Sequence, residues 1–299
     1  MLGIVAIDYK NPQLTIEFCQ KQLPRVDVPY VCVVVVNGAT DEEVNCLAQG
    51  TGAYVVREDA SGVNKGQRLY LLPSVENLGF ARGNNLGVAF LTKHFGVEHL
   101  LFSNTDIEIL SPNCVSVLLD RLNRNGEMGA IGPCVVGLDG QYQEPHDRVI
   151  SIYRQIGWML FPFLRKRRRT AEIPAPMERP ESRYTYWVQG SFLLVRRSDF
   201  ERVGMFDPHT FLYSEEPILA ERLKRIGKRM YYEASVEILH YEGGTIVRKH
   251  GSKRSARMAM ESNCYYYRAY LHSNRFVVWV YKYLFLLRQD DDSKLCGLR

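Results

Sequence analysis

Two runs of β-branched residues, GIVAI at 3–7 and YVCVVVV at 30–36, limit what this chain can fold into. Short, nearly continuous apolar runs are the pattern of strands covered on both faces of a parallel sheet. Residues 11–23, between them, have helical spacing, so the chain opens as β-α-β. The alternation continues with a strand at 68–72, an amphipathic helix at 84–94 carrying Leu86, Ala89, Phe90 and Leu91, and a strand at 99–103. A helix at 113–123 follows, with Ser111-Pro112 as cap and first turn. Such alternation predicts an α/β fold on an open, doubly wound sheet, where ligands bind beyond the carboxyl ends of the strands. After Gly126, short strands at 130–136 and 187–195 flank a Pro- and Arg-rich stretch, 161–181, expected to be a mobile loop. A helix at 217–226, a strand pair around 230–240 and C-terminal helical segments complete the pattern.

The 299 residues, 46% of them hydrophobic, suffice for one large α/β domain or two small ones. Basic and acidic residues nearly balance, 38 against 33, so the net charge of +5 leaves no footprint for nucleic acid. A tight basic run at 165–169 and a looser one at 248–257 suit phosphate-bearing ligands or an anionic membrane face. The seven cysteines, odd in number and lacking a Cys-x-x-Cys pair, read as reduced thiols of a cytoplasmic protein. The N-terminal MLGIVAIDYKNP reads as a buried strand rather than a secretion signal. No apolar run reaches the roughly 18–20 residues of a membrane span. The longest, 276–287, contains Lys282.

Three constellations carry chemistry. The strand Leu100-Leu101-Phe102-Ser103 runs into Asn104-Thr105-Asp106, where a carboxylate can meet a divalent cation and a diphosphate. An ordinary strand-end turn has the same composition. In Ser214-Glu215-Glu216-Pro217, two carboxylates sit at the positive end of a helix. They make a good helix start, or they place a base in a cleft to take a proton from an attacking hydroxyl. His240, at a strand end before Gly243-Gly244, is either structural or a metal ligand.

Read in order, these pieces resemble family 2 glycosyltransferases of the GT-A fold, in the nonprocessive branch of bacterial rhamnosyl- and other polysaccharide glycosyltransferases. The block Asn77-Leu78-Gly79-Phe80-Ala81-Arg82-Gly83-Asn84-Asn85 looks like that branch's Asn-x-Gly-Phe-Ala-x-Gly-Asn-Asn. Ser103-Asn104-Thr105-Asp106 with Glu108, Gln189-Gly190-Ser191, Val203-Gly204-Met205-Phe206-Asp207, Glu215-Glu216 and His240 follow in the family's order. The resemblance spans residues 3–245. It implies that Asp106, with His240, ligates Mg²⁺ or Mn²⁺, and that Glu216 is the base, with Glu215 orienting it or replacing it. The implied nucleotide-sugar contacts are Asp8, Tyr9, Asn37, Asn77, Gly79, Phe80, Asn84, Asn104, Gly190 and Ser191. Val36 stands where the family usually has an acid, and Asn104 replaces the first acid of the metal motif.

The expected enzyme is an inverting, metal-dependent transferase that moves one sugar per encounter from UDP-hexose or dTDP-rhamnose to a lipid-linked glycan, in bacterial surface polysaccharide synthesis. Residues 1–245 are the expected GT-A domain, with a nucleotide-sugar half at about 1–110 and an acceptor half at 111–245. Residues 246–299 form a helical extension. Its apolar, Arg-flanked segment 275–288 and the segment 158–169 suit the inner face of the cell membrane, and the same pattern suits packing on the domain or a second subunit in a homo-oligomer. A noncatalytic sugar-nucleotide-binding scaffold and a nucleotidyltransferase remain as alternatives. The second should have a Gly-rich phosphate loop after the first strand, where this chain has Asp8-Tyr9-Lys10-Asn11.

Overall fold

A computed structural model describes residues 1–56, 63–143, 145–149, 151–161, 179–241 and 246–296. The 161–181 loop and the 165–169 basic run fall almost wholly outside these residues, as do Gly243 and Gly244. One mixed sheet runs in the order β3 (Tyr54–Val55), β4 (Leu69–Ser74), β2 (Tyr30–Asn37), β1 (Leu2–Asp8), β5 (His99–Ser103), β10 (Phe192–Arg196), β7 (Met128–Gly137), β11 (Arg229–His240), β6 (Ile107–Ile109). The short β8 (Tyr142–Gln143) pairs with β7, and β9 (Arg183–Thr185) with β11. The first five strands are mutually parallel; β10 and β6 run antiparallel to their neighbours.

The two β-branched runs form β1 and β2, and their alternation divides the core between the sheet's faces. Ile4, Ala6, Cys32, Val34 and Val36 face α2 (Asp41–Thr51) and α4 (Cys114–Arg124). Val5, Val31, Val33 and Val35 face α3 (Gly79–His94) and, further along the sheet, α6 (Arg197–Arg202) and α7 (Glu215–Lys224). Burying one such valine contributes about 1.5–3 kcal/mol. The position that replaces the family's acid, Val36, is 1% exposed within the first of these layers.

Several elements differ from the sequence reading. Helix α2 was not expected, although Thr40 and Glu43 form a reciprocal capping box at its start. The helical stretch 11–23 is α1 (Pro12–Glu17) followed by a π turn and a 3₁₀ turn. Helix α3 begins five residues earlier than expected, at Gly79. Ser111 does not cap α4; its Oγ accepts from Glu237 N–H, and the cap is the distant Asp27 carboxylate, which accepts from Val115 and Ser116 N–H at 3.1 Å. The expected strand pair at 230–240 is the single strand β11, with a register shift between Glu233 and Glu237. There the buried Glu233 carboxylate accepts from Arg121, Ser182 and Ser235 N–H.

Past the sheet, α5 (Ile152–Leu160), α8 (Ile246–Ala269) and α9 (Arg275–Cys296) share a third cluster of Ile152, Ile218, Met260, Tyr266, Tyr267, Tyr270, Val278 and Tyr281. Ile218 belongs to α7, so this cluster carries the C-terminal helices onto the helix that begins with Glu215 and Glu216.

Candidate active site

Strand ends converge on one place. Parallel β1 and β5 lie side by side, with Ala6 opposite Ser103, while the chain proceeds from β1 to β2 on the other side. That arrangement opens a crevice beyond their carboxyl ends. Antiparallel β10 starts there, with Phe192 opposite Ser103, and Asn104 N–H donates to Ser191 O at 2.9 Å. Strand β11 ends there as well: His240 lies opposite Ile107, and Tyr241 N–H donates to Asp106 O at 2.9 Å. The register therefore brings Asn104, Asp106, Ser191 and His240 together from strands far apart in sequence.

Two cavities open to solvent meet at this point. The first, about 720 Å³, is lined by Ile7, Tyr9, Asn37, Asn77, Phe80 and Asp106, among others. The second, about 1660 Å³, holds Ser191, Glu215, Glu216 and His240 along with His146 and Trp187. Phe80, Asn104, Asp106 and Leu212 line both.

Most expected nucleotide contacts border the first cavity, and their polar atoms are largely engaged. Asn37 donates to Gly79 O at 3.0 Å and accepts from Leu78 N–H, which locks the end of β2 to the start of α3. The Asn77 side chain accepts from Gly79 N–H. Gly79 has φ +71, and a Cβ there would come within 2.2 Å of Phe211 O, the carbonyl that accepts from Phe80 N–H. Only glycine fits under the 211–214 segment at that point. Asp8 and Asn84 line neither cavity. Asp8 is 1% exposed and accepts from Thr15 Oγ1 at 2.6 Å; Asn84 donates to Phe80 O within its own helix. Glu108 turns away, toward Arg25 and the Tyr241 hydroxyl.

The acid pair begins α7. Ahead of it, Tyr213 (φ 73) and Ser214 (φ 68) adopt left-handed backbone, costly for residues with a Cβ. Partners from α8 hold this turn: Ser262 Oγ donates to Leu212 O at 2.7 Å, and Ser214 Oγ donates to Asn263 Oδ1 at 3.0 Å. Upstream, Asp207 accepts from the Tyr265 and Tyr270 hydroxyls and pairs with Arg222 at 2.9 Å. Burial pushes the Asp207 carboxyl upward, but the Tyr270, His209 and Tyr265 hydrogen bonds outweigh it and hold the group well below the usual range.

Glu216 Oε1 accepts from Gly190 N–H at 3.0 Å, and a Cβ on residue 190 would lie 2.3 Å from that oxygen. The glycine thus lets the carboxylate dock on backbone. Burial raises the Glu216 pKa, opposed by backbone N–H bonds. Glu215 is 2% exposed and its Oε1 has no hydrogen-bond partner; burial first, then the Glu216 charge, pushes it well above the usual carboxylate range. The two neighbours are therefore unlike: Glu215 is enclosed, while Glu216 is half-buried in the wall of the cleft.

Asp106 Oδ1 lies 3.3 Å from His240 Nε2, and Asn104 Nδ2 is 3.4 Å from the same nitrogen. His240 Nδ1 is buried without a partner. Adjacent ligands of a cation with bonds of about 2.1 Å stand about 3 Å apart in octahedral geometry, so an oxygen and a nitrogen at this separation fit two positions of one shell. No cluster of three or more His, Cys, Asp or Glu side chains able to hold a metal occurs among the described residues. The other positions of such a shell would fall to diphosphate oxygens and water.

The sequence reading omitted His146, Trp187 and Asn263, which also line the second cavity. It also gave Asp207 no role beyond its motif. The capping box of α2 was visible as Thr-x-x-Glu, but His146 and Asn263 reach the site only through tertiary structure.

The sheet order and the crevice define a GT-A glycosyltransferase fold, shared with solved structures. One is a mannosyltransferase from Pyrobaculum calidifontis in complex with GDP-Man and Mn²⁺, matched at TM-score 0.57 and 14% identity over 95% of this chain and 69% of that one. No protein-family model matches the chain. An N-acetylglucosaminyl-diphospho-decaprenol L-rhamnosyltransferase of Mycobacterium tuberculosis is 30% identical over 226 residues, 73% of each chain. The rhamnosyltransferase WbbL of Escherichia coli K12 is 27% identical over 170 residues, 54% of this chain and 61% of that one. The chain belongs to the rhamnosyltransferase-like family 2 glycosyltransferases.

Proposed function

We propose that this transferase moves a sugar from a nucleotide sugar to a hydroxyl of a lipid-linked glycan by a single displacement that inverts the anomeric carbon. The observation that carries this reading is Glu216, docked on Gly190 N–H in the larger cavity, which shares Asp106 with the smaller one. The donor's nucleotide occupies the smaller cavity, with its diphosphate beside Asp106. Glu216 accepts the proton of the acceptor hydroxyl as that oxygen attacks from the larger cavity. A base with a raised pKa is better matched to a hydroxyl proton than an ordinary carboxylate. The upward shift of Glu215 favours its uncharged form beside Glu216. Asp106 and His240 would hold Mg²⁺ or Mn²⁺, which would supply charge stabilisation to the departing nucleoside diphosphate.

The relatives' names, both rhamnosyltransferases, support rhamnose as the sugar moved here and so dTDP-rhamnose over UDP-hexose as donor, and the mycobacterial enzyme's name supports an acceptor that is a lipid diphosphate sugar. A membrane-bound acceptor agrees with α9. No described helix is long and apolar enough to cross a membrane. Yet Phe276, Trp279, Tyr283 and Leu287 form an exposed stripe on α9, flanked by exposed Arg275, Lys282 and Arg288. Aromatic side chains bordered by cations suit an anionic interface. The helices from residue 246 onward belong functionally to the catalytic unit, because Ser262 and Asn263 hold the turn before the acid pair.

Incubation with each donor and Mn²⁺ or Mg²⁺ tests the reading. Nucleoside diphosphate, not pyrophosphate, is the expected product, and chelator or Asp106→Ala is expected to lower turnover by about 10²–10³-fold. Undiminished turnover in chelator would contradict the metal role.

A further inference from the structure

We propose that the stacked His146 and Trp187 rings seat the acceptor's reacting sugar, taking the C–H face of a pyranose unit. This rests on the transferase reading above and adds to it the groups that present the acceptor. The two rings lie 3.6 Å apart, centroid to centroid, inclined by 12°. The backbone fixes them as a pair. Residues 146 and 187 form an antiparallel bridge, and His146 O accepts from Tyr186 N–H, Trp187 N–H and Thr185 Oγ1. Burial lowers the His146 pKa, so the imidazole is neutral at neutral pH and adds no charge to desolvate.

Both rings line the cavity that holds Glu216. A pyranose ring is amphipathic, with hydroxyls around its rim and C–H bonds on its faces. Flat aromatic surface covers the apolar face at little entropic cost, while polar groups near the rim select orientation. Such groups are present: Gln189, Ser214 and Asn263 line the same cavity. Trp187 also stands three residues before Gly190, whose N–H holds the Glu216 carboxylate. Trp187 and the backbone N–H that holds the base are therefore carried by one short segment. Seating a sugar on the first fixes which of its hydroxyls faces the second, which makes the pair a determinant of acceptor and linkage.

The test uses the full chain, dTDP-rhamnose and UDP-glucose as donors with Mn²⁺, and octyl glycosides of N-acetylglucosamine, galactose, mannose and rhamnose as acceptors. In Trp187→Ala, the KM for the acceptor that is used should rise at least tenfold while the donor KM changes less than twofold. Trp187→Phe should recover most of the loss. His146→Ala should give a smaller rise on the same side, and it substitutes for Trp187→Ala should that variant fail to fold. An unmoved acceptor KM, or equal rises in both KM values, would overturn the wall and leave the transferase reading standing. No transfer to any glycoside, nor to polyprenyl-diphosphate N-acetylglucosamine run beside them, would overturn both.

Discussion

The two cavities that meet at Asp106 are built from different materials. On the side proposed for the donor, the Asn37 and Asn77 side chains bond to backbone, and Asp106 is the only carboxylate among the described residues of the lining. On the acceptor side stand two neighbouring acids, one with a buried oxygen lacking a partner, behind two consecutive residues in left-handed backbone. The first is a prebuilt socket whose polar groups are spent on holding its shape. The second stores cost: desolvated carboxylates and strained backbone persist only because the surrounding structure fixes them. That contrast fits the proposed division, with binding on one side and proton transfer on the other.

Substitutions can break the contrast, and the largest effect is expected on the acceptor side. Glu216→Gln keeps shape and removes the base, so kcat should fall by about 10³-fold, with donor affinity from calorimetry within twofold of wild type. Gly190→Ala attacks the same group through position. Its Cβ would lie 2.3 Å from Glu216 Oε1, and about 1 Å of displacement costs roughly 100-fold in kcat. Gly79→Ala tests the donor-side socket: positive φ and a 2.2 Å approach to Phe211 O predict a loss of about 2–3 kcal/mol, read as a Tm lower by roughly 3–5 °C.

The smallest effect sharpens the difference between the two acids. Glu215 has a folded-state pKa raised by burial and the Glu216 charge. Such a group binds more protons folded than unfolded, so its contribution is fully present below the unfolded pKa and lost as pH rises through the folded value. Wild-type Tm should therefore decline as pH rises above the ordinary carboxylate range, and Glu215→Gln should flatten that decline. In kinetics the sign is opposite, because the base must be deprotonated: kcat/KM should rise with pH through the raised Glu216 value.

The parallel half of the fold was legible because it is local. Continuous β-branched runs became β1 and β2, and the Asn-Leu-Gly-Phe-Ala block became the start of α3 over the donor cavity. The acid pair and Asp106 stood out only through their order along the chain; by composition each was an ordinary helix start or turn. What stayed hidden depends on distance. Asp27 caps a helix 88 residues away, Asn263 reaches Ser214 across 49, and the His146 stack on Trp187 exists only once β7 and β11 have brought their loops together. Asp8 shows the reverse case. The resemblance implied a nucleotide contact there, while in the fold its carboxylate accepts from Thr15.

The most direct test of a single displacement driven from the acceptor side is the anomeric configuration of the product, read by NMR coupling constants from the donor the enzyme accepts. Configuration opposite to that of the donor is predicted, together with its loss in Glu216→Gln. A product that retains the donor's configuration would exclude a single displacement from the opposite face and contradict the role proposed for Glu216.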